Sequence, residues 1–179
     1  RIIRFSGTGE GELLAFASYL THLQKTKTIP NLKTKTKGGP AHWSETLTTK
    51  GKVSTEKKPY VLDTLTLPKI PSEKTWLRTS ALAFFPDGRM AVCTHGGDVW
   101  IVSGIDDSLE EIKWRRFAAG MYEPFGLQVI DDKIYVTCKD RLVRLHDLNG
   151  DGEADFYESF SADDDVSTFF HAFNFDLQR

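Results

Sequence analysis

The segment from Ser80 to Gly104, SALAFFPDGRMAVCTHGGDVWIVSG, reads as three short strands joined by two tight turns, and its pattern returns later in the chain. Leu82 and Phe84 alternate with their neighbours and predict a half-buried strand that stops at Pro86-Asp87-Gly88, where Pro sets φ and Gly relaxes it. Met90 to Thr94 makes a second strand, Gly96-Gly97 a second turn, and Val99 to Val102 a third strand. About 45 residues on, Leu82-Ala83-Phe84 is answered by Leu127-Gln128-Val129, Met90-Ala91-Val92 by Ile134-Tyr135-Val136, and Trp100-Ile101-Val102 by Leu142-Val143-Arg144. A third copy begins at Phe173-Asn174-Phe175, 46 residues after Leu127.

A self-repeat of this length with four strands per unit is the signature of a β-propeller, in which small twisted sheets stack around a channel because one sheet cannot bury both of its faces alone. Ile112 to Phe117 and Asp155 to Phe160 supply the fourth, outer strands. The fold class expected is therefore mainly β: a partial β-propeller of two four-stranded blades and the start of a third, preceded by one helix and an extended linker. An open antiparallel meander or a small sandwich is the alternative. Two blades are too few to close a ring of roughly 4 to 8, so a piece of a longer protein is expected, in keeping with Arg1 in first place.

The chain has 179 residues and a hydrophobic content of 40%, enough for a core. No run of apolar residues is long enough for a membrane span, and no signal peptide is visible. The net charge of -2 hides an asymmetry. Between Lys25 and Lys58 stand nine Lys and two Glu, whereas between Asp147 and Asp165 stand eight carboxylates and no Lys or Arg. The basic part reads as a solvated tether, and nucleic-acid binding is not expected, since only Trp43 is interleaved with the Lys residues. Cys93 and Cys138 fall on the second strands of neighbouring repeats, too far apart for a disulfide, and are expected as two buried thiols.

Ahead of the repeat, Glu12 to Leu23 has apolar residues at 13, 14, 16, 17, 20 and 23, a helical spacing. Residues 1–24 are read as a helical segment, 25–75 as a Lys/Thr-rich linker or arm with one strand, and 76–179 as the truncated propeller. The strand in the arm is placed at Tyr60 to Leu67, which alternates and ends at Pro68 and Pro71, while Trp43 and Leu47 are candidates to pin the arm to a neighbouring surface. Arg115-Arg116 reads as an exposed edge device against pairing with other chains. His95, beside Gly96-Gly97, reads as a turn residue, with a channel-lining role as the alternative. No Ser-His-Asp order, phosphate-cradling Gly loop or Cys-rich zinc spacing occurs.

The sharpest local motif is Asp147-Leu-Asn149-Gly-Asp151-Gly-Glu153-Ala-Asp155-Phe-Tyr-Glu158, which matches the D-x-[DN]-x-[DN]-G-x5-E calcium loop at every specified position. Ca²⁺ takes about 6 to 8 oxygens, and those of positions 1, 3 and 5 converge only if the chain turns sharply at the following Gly. Glu153 would offer its backbone carbonyl, Asp155 a direct or water-mediated contact, and Glu158 a bidentate carboxylate. The flanking residues read as strands rather than helices, so Glu158 shares a face with Phe156 and Phe160, away from a metal. The alternative is an Asp/Asn/Gly turn with no ion. Ser161 to Asp165 forms a second acidic stretch, a source of further ligands or a solvated loop.

The string TWLRTSALAFFPDGRMAVCTHGGDVWIV resembles the first blade of the soluble quinoprotein glucose and sorbosone dehydrogenase family. With DTLTLP, GGDVWIVSGID, RLHDLNGDGEADFYESF and FHAFNFDLQ it is similar, over about three quarters of the chain, to large secreted bacterial proteins that join such a propeller to haem-binding or other modules. The resemblance implies a periplasmic or secreted protein that oxidises sugars or other alcohols. It also implies pyrroloquinoline quinone with calcium, and a base at His171, two residues before the third inner strand. The residues after His171, AFNF, depart from the small Gly-rich run of that family. A channel-lining or core His is the alternative. GELLAFASYLTHL looks like the last helix of a c-type cytochrome domain, although no Cys-x-x-Cys-His is present, so haem is expected only in modules outside this chain, and an ordinary amphipathic helix is the simpler reading. The competing function is a non-catalytic, calcium-binding propeller that serves as a scaffold or binding module.

Overall fold

The computed structural model describes residues 7, 9–26, 31–70 and 76–162. His171, the third repeat from Phe173 and Asp163 to Asp165 lie outside the described residues. Residues up to Thr36 and residues from Lys37 onward form two compact units.

In the first unit the helical spacing is realised as α1, Glu10–Thr26. The Gly9 carbonyl accepts the amides of Glu12 and Leu13, each at 3.2 Å. Glu10 and Glu12 in the first turn and Lys25 in the last oppose the helix dipole with the favourable sign. Phe16, Leu20 and Leu23 form the half-buried stripe, while Leu13 and Leu14 are exposed. Among the described residues no helix is long and apolar enough to cross a membrane.

The second unit is mainly β. Its strands are β1 (Thr46–Thr49), β2 (Thr79–Phe84), β3 (Met90–Thr94), β4 (Val99–Ser103), β5 (Ile112–Ala118), β6 (Gly126–Ile130), β7 (Lys133–Thr137), β8 (Arg141–His146) and β9 (Phe156–Ala162). They form two antiparallel sheets, one of five strands in the order β1-β5-β4-β3-β2 and one of four in the order β6-β7-β8-β9, and the sheets are not closed into a ring. The turns are those that the residues favour. Asp131 and Asp132, at φ 49° and 59°, make the two-residue connection from β6 to β7, with both central residues left-handed as the twist of a hairpin requires.

The described strands of the repeat fall close to where their periodicity places them, but four features of the arm and the sheets differ from expectation. Tyr60 to Leu67 is not a strand: only Thr64 bridges, to Lys52. The strand of the arm is Thr46–Thr49, which pairs with β5 and adds a fifth strand to the first sheet. Consequently β5 is not an edge, and Arg116, expected to be exposed, is only 7% accessible. Nor is the arm a solvated tether throughout. Leu47, Leu65 and Ile70 pack with Met90, Val92, Trp100, Val102, Ile112 and Trp114 on one face of the first sheet.

The opposite face of that sheet meets the second sheet. Here Ala91, Cys93 and Val99 pack with Ile134, Val136, Val143 and Leu145, and Ala81 and Ala83 lie against them. Leu82 and Phe84, expected to face inward, are each 56% exposed. The strand alternates as predicted, but the close approach of β2 to β6 selects the small side chains for the interface. Cys93 and Cys138 are both buried, reduced members of this core, and burial, with the charge of Asp140 adding to it, pushes the Cys138 thiol up to about 12.

Hydrogen-bond register also shifts one step of the repeat. Val92 pairs with Trp100, whereas Val136 pairs with Val143. Trp100 and Val102 therefore correspond to Val143 and Leu145, one residue later than direct alignment suggests, because the connection from β7 to β8 is shorter than that from β3 to β4 by one residue and not by the two that the alignment implies. A one-residue slip exchanges the faces of a strand, so the difference decides which side chains enter the core.

Candidate functional site

The candidate calcium loop is the connection between β8 and β9. It starts as β8 ends at His146, whose carbonyl accepts the Asp155 amide at 2.8 Å and so closes the loop on itself. Within it Asp147 accepts the amides of Gly150 at 2.7 Å and Gly152 at 2.8 Å, one on each carboxylate oxygen. Asn149 Oδ1 accepts the Asp151 amide at 2.9 Å, and Asp151 Oδ1 accepts that of Glu153 at 3.0 Å. Gly150 and Gly152, at φ 77° and 83°, permit the turns. Every hydrogen-bonded oxygen keeps a second lone pair, so Asp147, Asn149 and Asp151 fit a hard cation in donor type and in the sharpness of the turn. Among the described residues no three His, Cys, Asp or Glu side chains converge as a metal-binding group.

The remaining three motif residues reach other partners. Asp155 accepts the Leu148 amide at 3.0 Å and, from the arm, the Gly39 amide at 2.8 Å. Asn149 Nδ2 donates to the Gly39 carbonyl at 2.6 Å. The chain passes so close here that a Cβ on Gly38, itself at φ 90°, would lie 2.5 Å from the Asp155 carboxylate. Glu158 shares a face with Phe156 and Phe160 and is held by Arg144 Nη2 at 2.5 Å and His146 Nε2 at 2.7 Å. Hydrogen bonds from His146 and, after it, Arg144 hold its carboxyl below the usual range.

Glu153 is the residue whose role the motif does not disclose. Its side chain is buried and accepts the amides of His42 at 2.6 Å and Trp43 at 3.0 Å, with His42 Nδ1 at 2.9 Å from its other oxygen. Next to it the Trp43 ring stands 5.5 Å from the Arg116 guanidinium, which also lies 5.0 Å from the Trp100 ring and 3.7 Å from Asp98. Trp43 and Leu47 thus pin the arm, as their place in a polar stretch suggested. Nothing in the local sequence points from Glu153 to His42, since the partners are 111 residues apart.

Burial would raise the Glu153 carboxyl, but the Trp43 amide, the His42 side chain and the His42 amide outweigh it and hold the group below its ordinary 4.5. A carboxylate with a depressed folded pKa stabilises the fold above its unfolded value, and the contribution disappears as pH falls through the folded one. Glu153→Gln is therefore expected to cost about 2 kcal/mol at neutral pH, because the amide keeps one oxygen for the His42 and Trp43 N–H donors but loses the charge that strengthens those bonds and the acceptor facing His42 Nδ1. The gap between variant and native chain should narrow in urea unfolding as the pH falls below 4.5 and through the lowered folded value. A gap independent of pH would mean that the charge of Glu153 contributes nothing.

Of the other sequence candidates, His95 donates its amide to the Arg78 carbonyl at 2.9 Å and sets its ring edge-on to Phe125, the arrangement of a turn residue. Comparison with family models, with curated proteins and with solved structures finds no match.

Proposed function

We propose that this chain supplies the first blades of a β-propeller of the quinoprotein glucose and sorbosone dehydrogenase kind, and that its described residues act there as a calcium-stabilised scaffold. One observation carries this reading: the loop from Asp147 to Asp155 is the junction at which the arm is tied to the second sheet, through Gly39, His42 and Trp43. A cation held by Asp147, Asn149 and Asp151, with the Glu153 carbonyl and Asp155, would neutralise the mutual repulsion of the loop and stiffen that junction. Glu158 would have to leave Arg144 and His146 to join them, so it is the residue least required. The ring itself is supported by the repeat and by apolar side chains left exposed on both flanks, Leu82 and Phe84 on β2 and Phe156 and Phe160 on β9.

In the complete propeller this reading assigns the oxidation of a sugar or other alcohol outside the cytoplasm, with His171 taking the hydroxyl proton and haem modules receiving the electrons. Pyrroloquinoline quinone supplies the hydride acceptor when bound; the cations that would hold its carboxylates belong, in this reading, to later blades. Calorimetric titration of a chain extended to the whole ring tests both parts. Calcium at about a hundred times its dissociation constant should stabilise the fold by about 2.7 kcal/mol, and Asp151→Ala should abolish this. Quinone-dependent dye reduction should be lost in His171→Ala while calcium binding persists. Calcium binding without quinone uptake would leave a non-catalytic scaffold, and no calcium binding would reduce the loop to a turn.

A further inference from the structure

Between the two sheets, at the rim where β4 and β8 end, lies a cleft of about 570 Å³, within the range of small-molecule sites. Its walls are apolar, with Phe85, Ile101 and Phe117 from the first sheet and Ile134 and Leu145 from the second. Arg89, Lys113, Arg115 and Lys133 line it against two carboxylates, Asp132 and Asp147. Asp147 is taken up by the amides of Gly150 and Gly152. Arg89 and Lys113 pair with Asp87 at 2.7 Å and Glu111 at 3.1 Å, exposed contacts that are readily exchanged.

Arg115 is different. Its guanidinium donates to the Asp151 carbonyl, it has no carboxylate within salt-bridge distance among the described residues, and its Nε–H is buried with no acceptor. A partly buried cation with no counter-charge carries a desolvation cost that an anion placed against it removes, and the edge open to a ligand is Nη1, since the Nε–H is itself enclosed by protein. The planar fork suits a carboxylate, and the walls beside it suit an apolar body.

We propose that this cleft is a binding site for a small organic monoanion, a carboxylate on an aromatic or branched apolar body, with Arg115 as its counter-ion. Lys113 and Arg89 at the rim set its preference for negative charge, and the face of β4, β5 and β7 its preference for a flat apolar group. The site involves no residue assigned to a quinone, and it shares one wall with the acidic loop, since Asp147 lines the cleft and Arg115 donates to the Asp151 carbonyl.

The test is calorimetric titration of the whole chain with naphthalene carboxylate, with the neutral naphthalene carboxamide, and with inorganic phosphate. The carboxylate is expected to bind in a saturable way, with a dissociation constant of about 1 mM for a ligand of this size. The amide and phosphate should each bind at least about tenfold more weakly, the first lacking the charge and the second the apolar body. Arg115→Gln should weaken the carboxylate about tenfold while leaving the amide unchanged. Should Arg115→Gln not fold, the double variant Arg89→Gln, Lys113→Gln at the exposed rim should weaken the carboxylate selectively. Amide shifts on addition of the carboxylate should centre on Ser103, Ile134 and Leu148. Equal affinity for acid and amide, phosphate binding as tightly as the carboxylate, unchanged affinity in the variants, or shifts centred elsewhere would each overturn the proposal.

Discussion

Trp114→Ala is expected to destabilise the second unit by about 3 to 5 kcal/mol, the range for removing a fully buried large aromatic. Trp114 is 2% exposed and stands where the arm joins the first sheet: Leu47 of β1 pairs directly with it, and Val102 of β4 pairs on its other side. Its ring fills the face covered by Leu65 and Ile70, and its Nε1 donates to Thr49 Oγ1 at 3.0 Å. Truncation leaves a cavity beneath the arm and deprives Thr49 of its donor. Trp114→Phe separates the two effects, since it keeps most of the packing and loses the hydrogen bond, about 1 kcal/mol. Urea unfolding measures both, and limited digestion with trypsin at the Lys-rich arm should accelerate only in the Ala variant. A cost for Trp114→Ala under about 1 kcal/mol would mean that the arm is not part of the folded unit.

Gly97→Ala is expected to cost about 3 kcal/mol, which for a domain of this size lowers the melting temperature by about 6 to 12 °C. Gly97 has φ 103°, and a Cβ there would stand 2.4 Å from the Met121 carbonyl oxygen and 3.0 Å from its amide nitrogen. Both neighbours are backbone, so neither can swing aside. The Gly97 carbonyl accepts the Met121 amide at 3.2 Å, and this contact ties the β3–β4 turn to the segment that leads into β6. The substitution therefore strains a turn and separates the sheets together. Gly96→Ala, next to it and meeting only the Thr94 side chain at 3.8 Å, is the control, with an expected change within about 0.5 kcal/mol. Similar melting temperatures for the two variants in calorimetry would show that the approach of Met121 to Gly97 is not a constraint.

The strands of the repeat were legible because their signals are local. Alternation over five residues and a Pro-Asp-Gly or Gly-Gly turn specify a ladder without reference to the rest of the chain, and β3, β4 and β5 fall within a residue of where those signals put them. The arm was not legible for the converse reason. Thr46–Thr49 is short and polar and becomes a strand because β5 lies beside it, in sequence some 65 residues away. Tyr60 to Leu67 alternates well but finds no neighbouring strand, and alternation without a partner leaves backbone donors and acceptors to water.

At the loop, the residue types of the calcium motif and the face of Glu158 could be read directly, the second from strand period alone. That Glu153 and Asp155 hold Gly39, His42 and Trp43, and that Arg115 stands against the Asp151 carbonyl, could not. By itself the sequence determined the repeat, its turns and the acidic loop, all products of backbone preferences and period that act over a few residues. Only the tertiary structure decided that Ala81 and Ala83 rather than Leu82 and Phe84 face the second sheet, that Trp100 answers to Val143, and that the basic arm becomes a fifth strand. Those outcomes rest on which distant surface is close enough to exclude water from which face, and a single stretch of chain does not contain that information.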